Sequence, residues 1–147
     1  MNCTKLLPAL LLSLAIAGCA SGPKHSELAS AIPALKAGEG RIYFYRSNSM
    51  LGAAVQPTVS LNGNVVGDSK PGGFFFVDAK AGPMEVTTAT EVEKKLTFTL
   101  EPRQTRYVRT VIGMGVFMGR VYPELVDPTE GEAELRQMSY IGSALKK

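Results

Sequence analysis

The sequence has few of the residues on which catalytic and metal sites most often depend. Its 147 residues include no tryptophan, one histidine, His25, and two cysteines, Cys3 and Cys19. His25 lies before the first predicted strand, so the folded domain has no Cys–His or Ser–His nucleophile pair and no His/Cys set for zinc. We therefore expect a protein that is not an enzyme and that holds no cofactor or metal ion.

An excess of charge and long apolar runs are also lacking. Sixteen basic and thirteen acidic residues give a formal net charge of +3 and are interspersed along the chain. Such a balance does not predict nucleic-acid binding. The one sustained apolar run, from Leu6 to Ala17, is shorter than the roughly 20 residues of a spanning helix.

That run has the features of an export signal, expected over residues 1–18. Lys5 gives it a positive start, and the small pair Ala17-Gly18 precedes Cys19. The segment Ile16-Ala17-Gly18-Cys19 resembles the lipobox of bacterial lipoproteins. The resemblance implies cleavage before Cys19, diacylglycerol on its thiol and a fatty acid such as palmitate on the new amine. The alternatives are a conventional signal peptide with a chance cysteine, or an N-terminal core segment.

The residues after Cys19 refine this expectation. Ala20 stands where an aspartate commonly retains lipoproteins in the inner membrane, so the resemblance favours the outer membrane, facing the periplasm. Lipidation of Cys19 and loss of Cys3 with the signal exclude an internal disulfide. Residues 19–38, rich in serine, glycine and proline, predict a flexible tether with a short helix over Leu28–Ala37 and a solvated His25.

Residues 39–147 are expected to form one domain, a small antiparallel β-sandwich with a C-terminal α-helix. Apolar residues alternate with period two from Gly40 onward, and Asn62-Gly63 predicts a hairpin turn. The continuous apolar run Phe74–Val77 predicts a strand that is buried on both faces or lies near a sheet centre. Asp127-Pro128 predicts a helix start, with an apolar stripe through Leu135, Met138 and Tyr140–Ile141 on the sheet.

The order of these signals resembles a family of uncharacterised bacterial lipoproteins catalogued as a domain of unknown function. It is also similar, more loosely, to PEGA-type β modules. The segments that carry the resemblance are Gly40–Arg46, Val59–Gly63 with Val66-Gly67, Gly73–Phe75, Ala81–Val86 and Arg106–Arg109. It implies a small lipid-anchored β-sandwich and supplies no catalytic residue.

One candidate contact site is the segment Val111–Gly119, with Met114, Phe117 and Met118. Its glycines and flexible methionines suit an adaptable apolar tip that contacts a partner, a membrane surface or a lipidic ligand. The alternative is a bulged hairpin whose apolar residues complete the core. The glycines are not followed by the Lys-Ser/Thr of a phosphate-binding loop.

A second candidate is the strand face that carries Arg41, Tyr43 and Tyr45, beside Tyr107 and Arg109 if the two strands are neighbours. Cationic and aromatic groups together suit contacts with carbohydrate, peptidoglycan or protein. The alternatives are a cross-strand ladder or the inner face of the sandwich. The carboxylates of Glu91 with Glu93, Asp127 with Glu130, and Glu130 with Glu132 and Glu134 are explained by solvation and the helix dipole.

The sequence therefore predicts a membrane-anchored periplasmic lipoprotein that binds or scaffolds a component of the cell envelope. Its expected partners are the membrane, through lipid on Cys19, and an envelope protein or peptidoglycan. The alternative is a carrier that holds a small apolar or lipidic ligand between Gly113–Gly119 and the C-terminal helix.

Overall fold

A computed structural model describes residues 19–90, 92–114 and 119–145 of the chain, so the predicted signal over 1–18 lies outside the described residues. The described part is mainly β-structure. Its elements are α1 (His25–Leu28), β1 (Glu39–Tyr45), β2 (Thr58–Leu61), β3 (Asn64–Asp68), β4 (Gly73–Lys80), β5 (Gly82–Ala89), β6 (Glu93–Leu100), β7 (Thr105–Gly113), β8 (Arg120–Val126), α2 (Pro128–Leu135) and β9 (Ser139–Tyr140).

The strands form two sheets, which confirms the predicted sandwich with a C-terminal helix. A five-stranded sheet has the order β8-β7-β1-β4-β9, and a four-stranded sheet has the order β3-β2-β5-β6. Most pairs are antiparallel as expected, but β1 pairs with β7 and β4 with β9 in parallel. After β4, which runs antiparallel to β1, the chain passes through β5 and β6 of the second sheet and re-enters at the end where β1 began, so β7 runs in the same direction as β1.

Local sequence signals placed the turns and the helix start correctly. Asn62 and Gly63 have φ of 49° and 82°, the left-handed pair that a tight hairpin between β2 and β3 requires. Asp127 caps α2 by accepting a hydrogen bond from the Thr129 amide at 2.9 Å, and Pro128 occupies the first helical position. Both predictions are confirmed.

An apolar core fills the space between the two sheets. Ile42, Phe44 and Phe75 project into it from the five-stranded sheet and meet Val59 and Val86 from the other. The rings of Phe44 and Phe75 stack with centroids 5.0 Å apart. Phe74 is fully buried on the opposite side of β4, so the strand is buried on both faces at Phe74 and Phe75 as predicted, and Phe76 and Val77 are half-buried.

A second core lies on the outer face of the five-stranded sheet. Its buried members are Tyr43, Tyr45, Phe74, Tyr107, Val126, Leu135 and Met138. The helix α2 packs closely because Gly131 lies against Tyr107, where a Cβ would approach the ring to 2.5 Å. The predicted burial of Leu135 and Met138 against the sheet is confirmed. The helix itself ends at Leu135, so Met138 lies beyond it, and the chain then returns as β9 beside β4.

Candidate functional site

The predicted lipid-attachment residue lies on the surface of the domain. Cys19 is exposed, and its Sγ is 3.9 Å from Oδ1 of Asn48 in the loop between β1 and β2. The amide of the next residue, Ala20, donates a hydrogen bond to the Pro71 carbonyl at 3.1 Å. The thiol is therefore accessible, and the chain becomes part of the folded domain one residue later.

The segment after Cys19 does not form the free tether that its composition predicts. The Pro23 carbonyl accepts from the Tyr140 amide at 2.8 Å, and the His25 amide donates to Met138 at 3.1 Å. Further along, a guanidinium nitrogen of Arg41 donates to the Pro33 carbonyl at 2.7 Å. Long-range hydrogen bonds thus hold this segment to the sheet, and its helix is α1 rather than one over 28–37.

His25 is a packed residue and not the solvated one that was predicted. Its ring lies edge-on to Tyr43 and Phe74, with centroids 5.4 and 5.3 Å away. Burial holds the pKa of His25 below its usual range; Glu132 opposes this shift and Arg136 adds to it. The imidazole therefore closes one side of the outer core in its neutral form.

Arg41, Tyr43 and Tyr45 share one face with Tyr107 and Arg109, as the alternation predicts. The register places Tyr43 beside Tyr107, with rings stacked 5.5 Å apart, and Tyr45 beside Arg109. Arg41, Tyr43 and Tyr45 are, however, only 7, 7 and 2 % exposed. The N-terminal segment and α2 cover them, so the predicted contact surface is instead an internal packing layer.

Arg41 is held there by a bidentate ion pair. Its Nε and one terminal nitrogen each donate to the Asp78 carboxylate at 2.7 Å, and its guanidinium lies 4.5 Å from the Phe76 ring centroid. The hydrogen bond that Arg41 donates to Asp78 raises the pKa of Arg41 despite its burial. These contacts join β1 to β4 and to the segment before β1.

Arg109 binds three carboxylates, two of which, Glu130 and Glu134, the sequence analysis had explained by solvation and the helix dipole. It donates to Glu124 at 2.6 Å, Glu130 at 2.8 Å and Glu134 at 2.8 Å, which joins β7 and β8 to α2. Burial alone would lower the pKa of Arg109, but these hydrogen bonds outweigh it and raise the pKa. Tyr45 donates a hydrogen bond to Glu134 at 2.6 Å. Burial is the largest cause of the raised pKa of the Tyr45 phenol, and this hydrogen bond raises it further.

The described parts of the glycine-rich segment, residues 111–114 and Gly119, lie where β7 ends and β8 begins. Met114 is 92 % exposed, whereas the other two predicted contact residues, Phe117 and Met118, lie outside the described residues. Gly113 pairs with Arg120 at this end of the hairpin. Met114 is therefore the predicted contact residue that the structure places in solvent.

The described residues of this segment do not lie beside α2, the other side of the predicted carrier site. Tyr107 pairs with Val126 at the far end of the same hairpin, and α2 begins there. The helix contacts β7 through Gly131 at Tyr107 and through Glu134 at Arg109, four residues before Gly113. The two elements therefore lie toward opposite ends of β7.

Two apolar groups that the sequence analysis missed lie near Met114 and Cys19. Met50 and Leu51 are 81 and 67 % exposed in the loop between β1 and β2, and Val92 is 44 % exposed in the turn between β5 and β6. The sequence signal that could have identified Met50 and Leu51 is an apolar pair directly after the polar run Ser47-Asn48-Ser49. Across the described ranges, no three His, Cys, Asp or Glu side chains are placed to hold a metal ion, and no helix is long and apolar enough to cross a bilayer.

The fold defines the class of protein: a β-sandwich domain with a short helical layer on the outer face of one sheet. The chain belongs to the family described as protein of unknown function DUF2846, whose model matches residues 36–121. It is also similar to an uncharacterised protein of Haemophilus influenzae, 26 % identical over 132 residues, which cover 86 % of this chain and 78 % of that protein. No solved structure matches the chain.

The family match begins just before β1 and ends at the start of β8. It includes Asn48, Met50, Leu51 and Met114 at the end of the sandwich where Cys19 lies. It excludes α2, β9 and the segment after Cys19, which together cover the outer face. The family membership predicted from the residue pattern is confirmed. The matched residues contain β1–β7 and the first residues of β8.

Proposed function

We propose that this protein is a lipoprotein of the bacterial cell envelope, anchored through Cys19, that binds or scaffolds an envelope component without catalysing a reaction. The observation that carries the proposal is the lipobox-like Ile16-Ala17-Gly18-Cys19 at the end of an apolar run of export-signal length. The exposed thiol of Cys19, one residue before the first contact with the domain, supports the same assignment. Ala20 favours the outer membrane, facing the periplasm.

The arrangement of charged groups supports a non-catalytic module. Glu130 and Glu134 are engaged by Arg109, and Asp78 by Arg41, so these carboxylates have structural partners. A general acid or base would need a group with a perturbed pKa and access to substrate. The two arginines instead hold the helical layer and the N-terminal segment on the sheet.

Lipidation is tested in bacteria that express the full chain and are grown in the presence of an alkyne fatty acid. The measurement is the incorporation of this fatty acid into the protein. We expect wild type to be labelled and Cys19→Ser to be unlabelled, because the thioether and the amine that is acylated both belong to Cys19. Cys3→Ser is the matched control and keeps the label, since Cys3 lies in the segment that is removed. Equal labelling of Cys19→Ser and wild type contradicts the proposal.

Localisation is tested with the same strains by separating inner and outer membranes. We expect wild type in the outer-membrane fraction and Ala20→Asp in the inner-membrane fraction. Crosslinking in intact cells, followed by mass spectrometry, then identifies the scaffolded component. Native mass spectrometry of the purified protein tests the carrier alternative, which requires a small apolar molecule that stays bound.

A further inference from the structure

Most of the large apolar side chains that the structure leaves in solvent lie at one end of the sandwich. These are Met50, Leu51, Val92 and Met114, with exposures of 81, 67, 44 and 92 %. The C-terminal ends of β1 and β7 meet there, because Tyr45 pairs with Arg109 and the strands are parallel. We call this the Cys19 end and the opposite one the Glu39 end.

The loops at the Cys19 end form one continuous surface. A Cβ on Gly52 would lie 3.2 Å from Ile112, so the loop that carries Met50 and Leu51 touches β7 two residues before Met114. Residues Ala54–Pro57 of the same loop line a shallow cavity with Ala89 and Thr90, directly before the turn that holds Val92. The exposed apolar residues are therefore neighbours rather than scattered.

A buried arginine fixes the shape of the loop. Arg46 is 3 % exposed, and its guanidinium donates to the main-chain carbonyls of Val55 at 2.6 Å and Gly52 at 2.8 Å. Longer hydrogen bonds reach the carbonyls of Leu51 and Ser69, both at 3.4 Å. Because the carbonyls of Leu51, Gly52 and Val55 are all bound by this buried guanidinium, the loop has a fixed shape in which the Leu51 side chain lies outward.

The lipid-attachment residue lies at this same surface. Cys19 Sγ is 3.9 Å from Asn48, two residues before Met50, and Ala20 is hydrogen-bonded to Pro71. With no free tether between them, acyl chains on Cys19 would bring the bilayer directly against these loops. The Glu39 end carries the exposed charged residues Lys36, Lys80, Glu101 and Arg103, whereas at the Cys19 end exposed Asp68 and Glu93 lie among exposed apolar residues.

From this juxtaposition we propose that the Cys19 end is a membrane-contacting surface, on which Met50, Leu51 and Met114 enter the lipid interface beside the acylated cysteine. This inference rests on the proposed lipidation, which supplies the anchor. The partner that the Cys19 end contacts is the bilayer into which the acyl chains of Cys19 insert. Apolar side chains that enter the interface add a second attachment to a lipid anchor and fix the orientation of the domain. The Glu39 end then points into the periplasm.

The absence of tryptophan gives a direct test. Full-length chains with a single Leu51→Trp or Met114→Trp substitution are purified with their lipid and reconstituted into phosphatidylcholine vesicles with brominated acyl chains. We expect tryptophan emission to shift to the blue and to be quenched in both. Lys80→Trp, at the Glu39 end, is the matched control and keeps the emission of a solvated indole.

The outcomes separate this inference from the proposed function. Fatty-acid labelling of the same preparations reports whether Cys19 is acylated. Acylated protein whose Leu51→Trp and Met114→Trp emission is quenched no more than that of Lys80→Trp overturns the membrane-contacting surface and leaves the lipoprotein assignment intact. A blue shift that appears without vesicles and grows with protein concentration would assign the surface to a second copy, which also overturns it.

If the chain is not acylated, the proposed function fails and the contact is tested separately. A Cys3→Ser chain has Cys19 as its sole thiol, which can be coupled to a maleimide phospholipid in the same vesicles. Quenching of Leu51→Trp and Met114→Trp in this coupled protein would support the surface as a lipid-contacting one. Emission unchanged from the uncoupled protein would overturn it.

Discussion

The two faces of the five-stranded sheet are both buried, but they are buried by different chemistry. The inner face packs aliphatic and phenylalanine side chains against the other sheet, around Ile42 and Phe44. The outer face carries tyrosines and arginines that are paired with acids, and its cover is a short helix and the segment after Cys19. The strands β1, β4 and β7 each supply alternate residues to both cores.

The difference shows that burial alone does not require an apolar sequence. A helix of eight residues buries only Gly131 and Leu135, so it cannot supply an apolar layer like that of a whole sheet. Hydrogen bonds from Arg109 and Tyr45 to Glu134 make up part of the attachment. We therefore expect the inner face to be the costlier one to disturb, and the outer face to be the more sensitive to salt and pH.

The largest effect is expected from Phe44→Ala on the inner face. Phe44 is 1 % exposed and stacks on Phe75, so truncation leaves a cavity between the sheets and lowers the free energy of unfolding by about 3–5 kcal/mol. Urea unfolding followed by circular dichroism measures it. Val65→Ala, at a residue 66 % exposed, is the control and should change stability by less than about 0.5 kcal/mol. A loss below 1 kcal/mol for Phe44→Ala, by the scale of such substitutions, contradicts a well-packed inner core.

Leu135→Ala should detach the helical layer with a somewhat smaller loss. Leu135 is fully buried at the end of α2, and its truncation is expected to cost about 2–4 kcal/mol. Hydrogen exchange should show faster exchange in α2 than in the inner strands β2 and β5. Glu132→Ala, on the exposed side of the same helix, serves as the control. Equal loss of protection in all strands would show that the two cores unfold as one unit.

Arg109→Gln should have a modest effect that depends on salt. It leaves Glu124, Glu130 and Glu134 close together without their shared cation, which we expect to cost roughly 1 kcal/mol, since these groups are partly exposed. In 1 M salt, where the screening length is about 3 Å, the difference from wild type should shrink. Arg136→Gln breaks only an exposed pair with Glu132 at 3.6 Å and provides the comparison. A salt-independent loss would assign the role of Arg109 to packing.

The smallest effect is expected at His25 and concerns pH. Burial lowers the pKa of His25 on folding, so the unfolded chain binds more protons than the native one near the ordinary value of 6.5. The stability that the neutral imidazole contributes is fully present above the pKa of His25 in the unfolded chain, and it is lost as the pH falls through the lower pKa of the folded state. Thermal unfolding from pH 7.5 to 5 should show a flatter decline for His25→Phe than for wild type. Parallel declines would mean that the ring protonates without cost to the fold.

Much of this fold could be predicted because its signals are local. The Asn62-Gly63 turn, the capped start of α2 at Asp127 and the two-sided burial of Phe74–Val77 each follow from a few adjacent residues. The alternation in β1 correctly put Arg41, Tyr43 and Tyr45 on one face. It could not tell whether that face was solvated, because the cover comes from α2 and the N-terminal segment.

The candidate site shows the same division. The lipobox-like motif at Cys19 is a contiguous pattern, whereas the neighbours of Cys19 are 29 or more residues away in the chain. Only the structure identifies Met50 and Leu51 as candidate contact residues, because Arg46 fixes their loop and Asn48 of the same loop lies beside Cys19. Composition suggested a tether over 19–38, and backbone hydrogen bonds to Pro71, Met138 and Tyr140 show a docked segment instead.

By itself the sequence determined the family, the two-faced strands, the turns, the helix start and the residue expected to carry the anchor, since each depends on a short pattern or on period-two alternation. The tertiary structure alone decided that the tyrosine and arginine face is internal and that Arg109 gathers its acids. It also brought Cys19 to the apolar end. These depend on contacts between distant segments, such as that of Tyr45 with Glu134, 89 residues later, which no local pattern encodes.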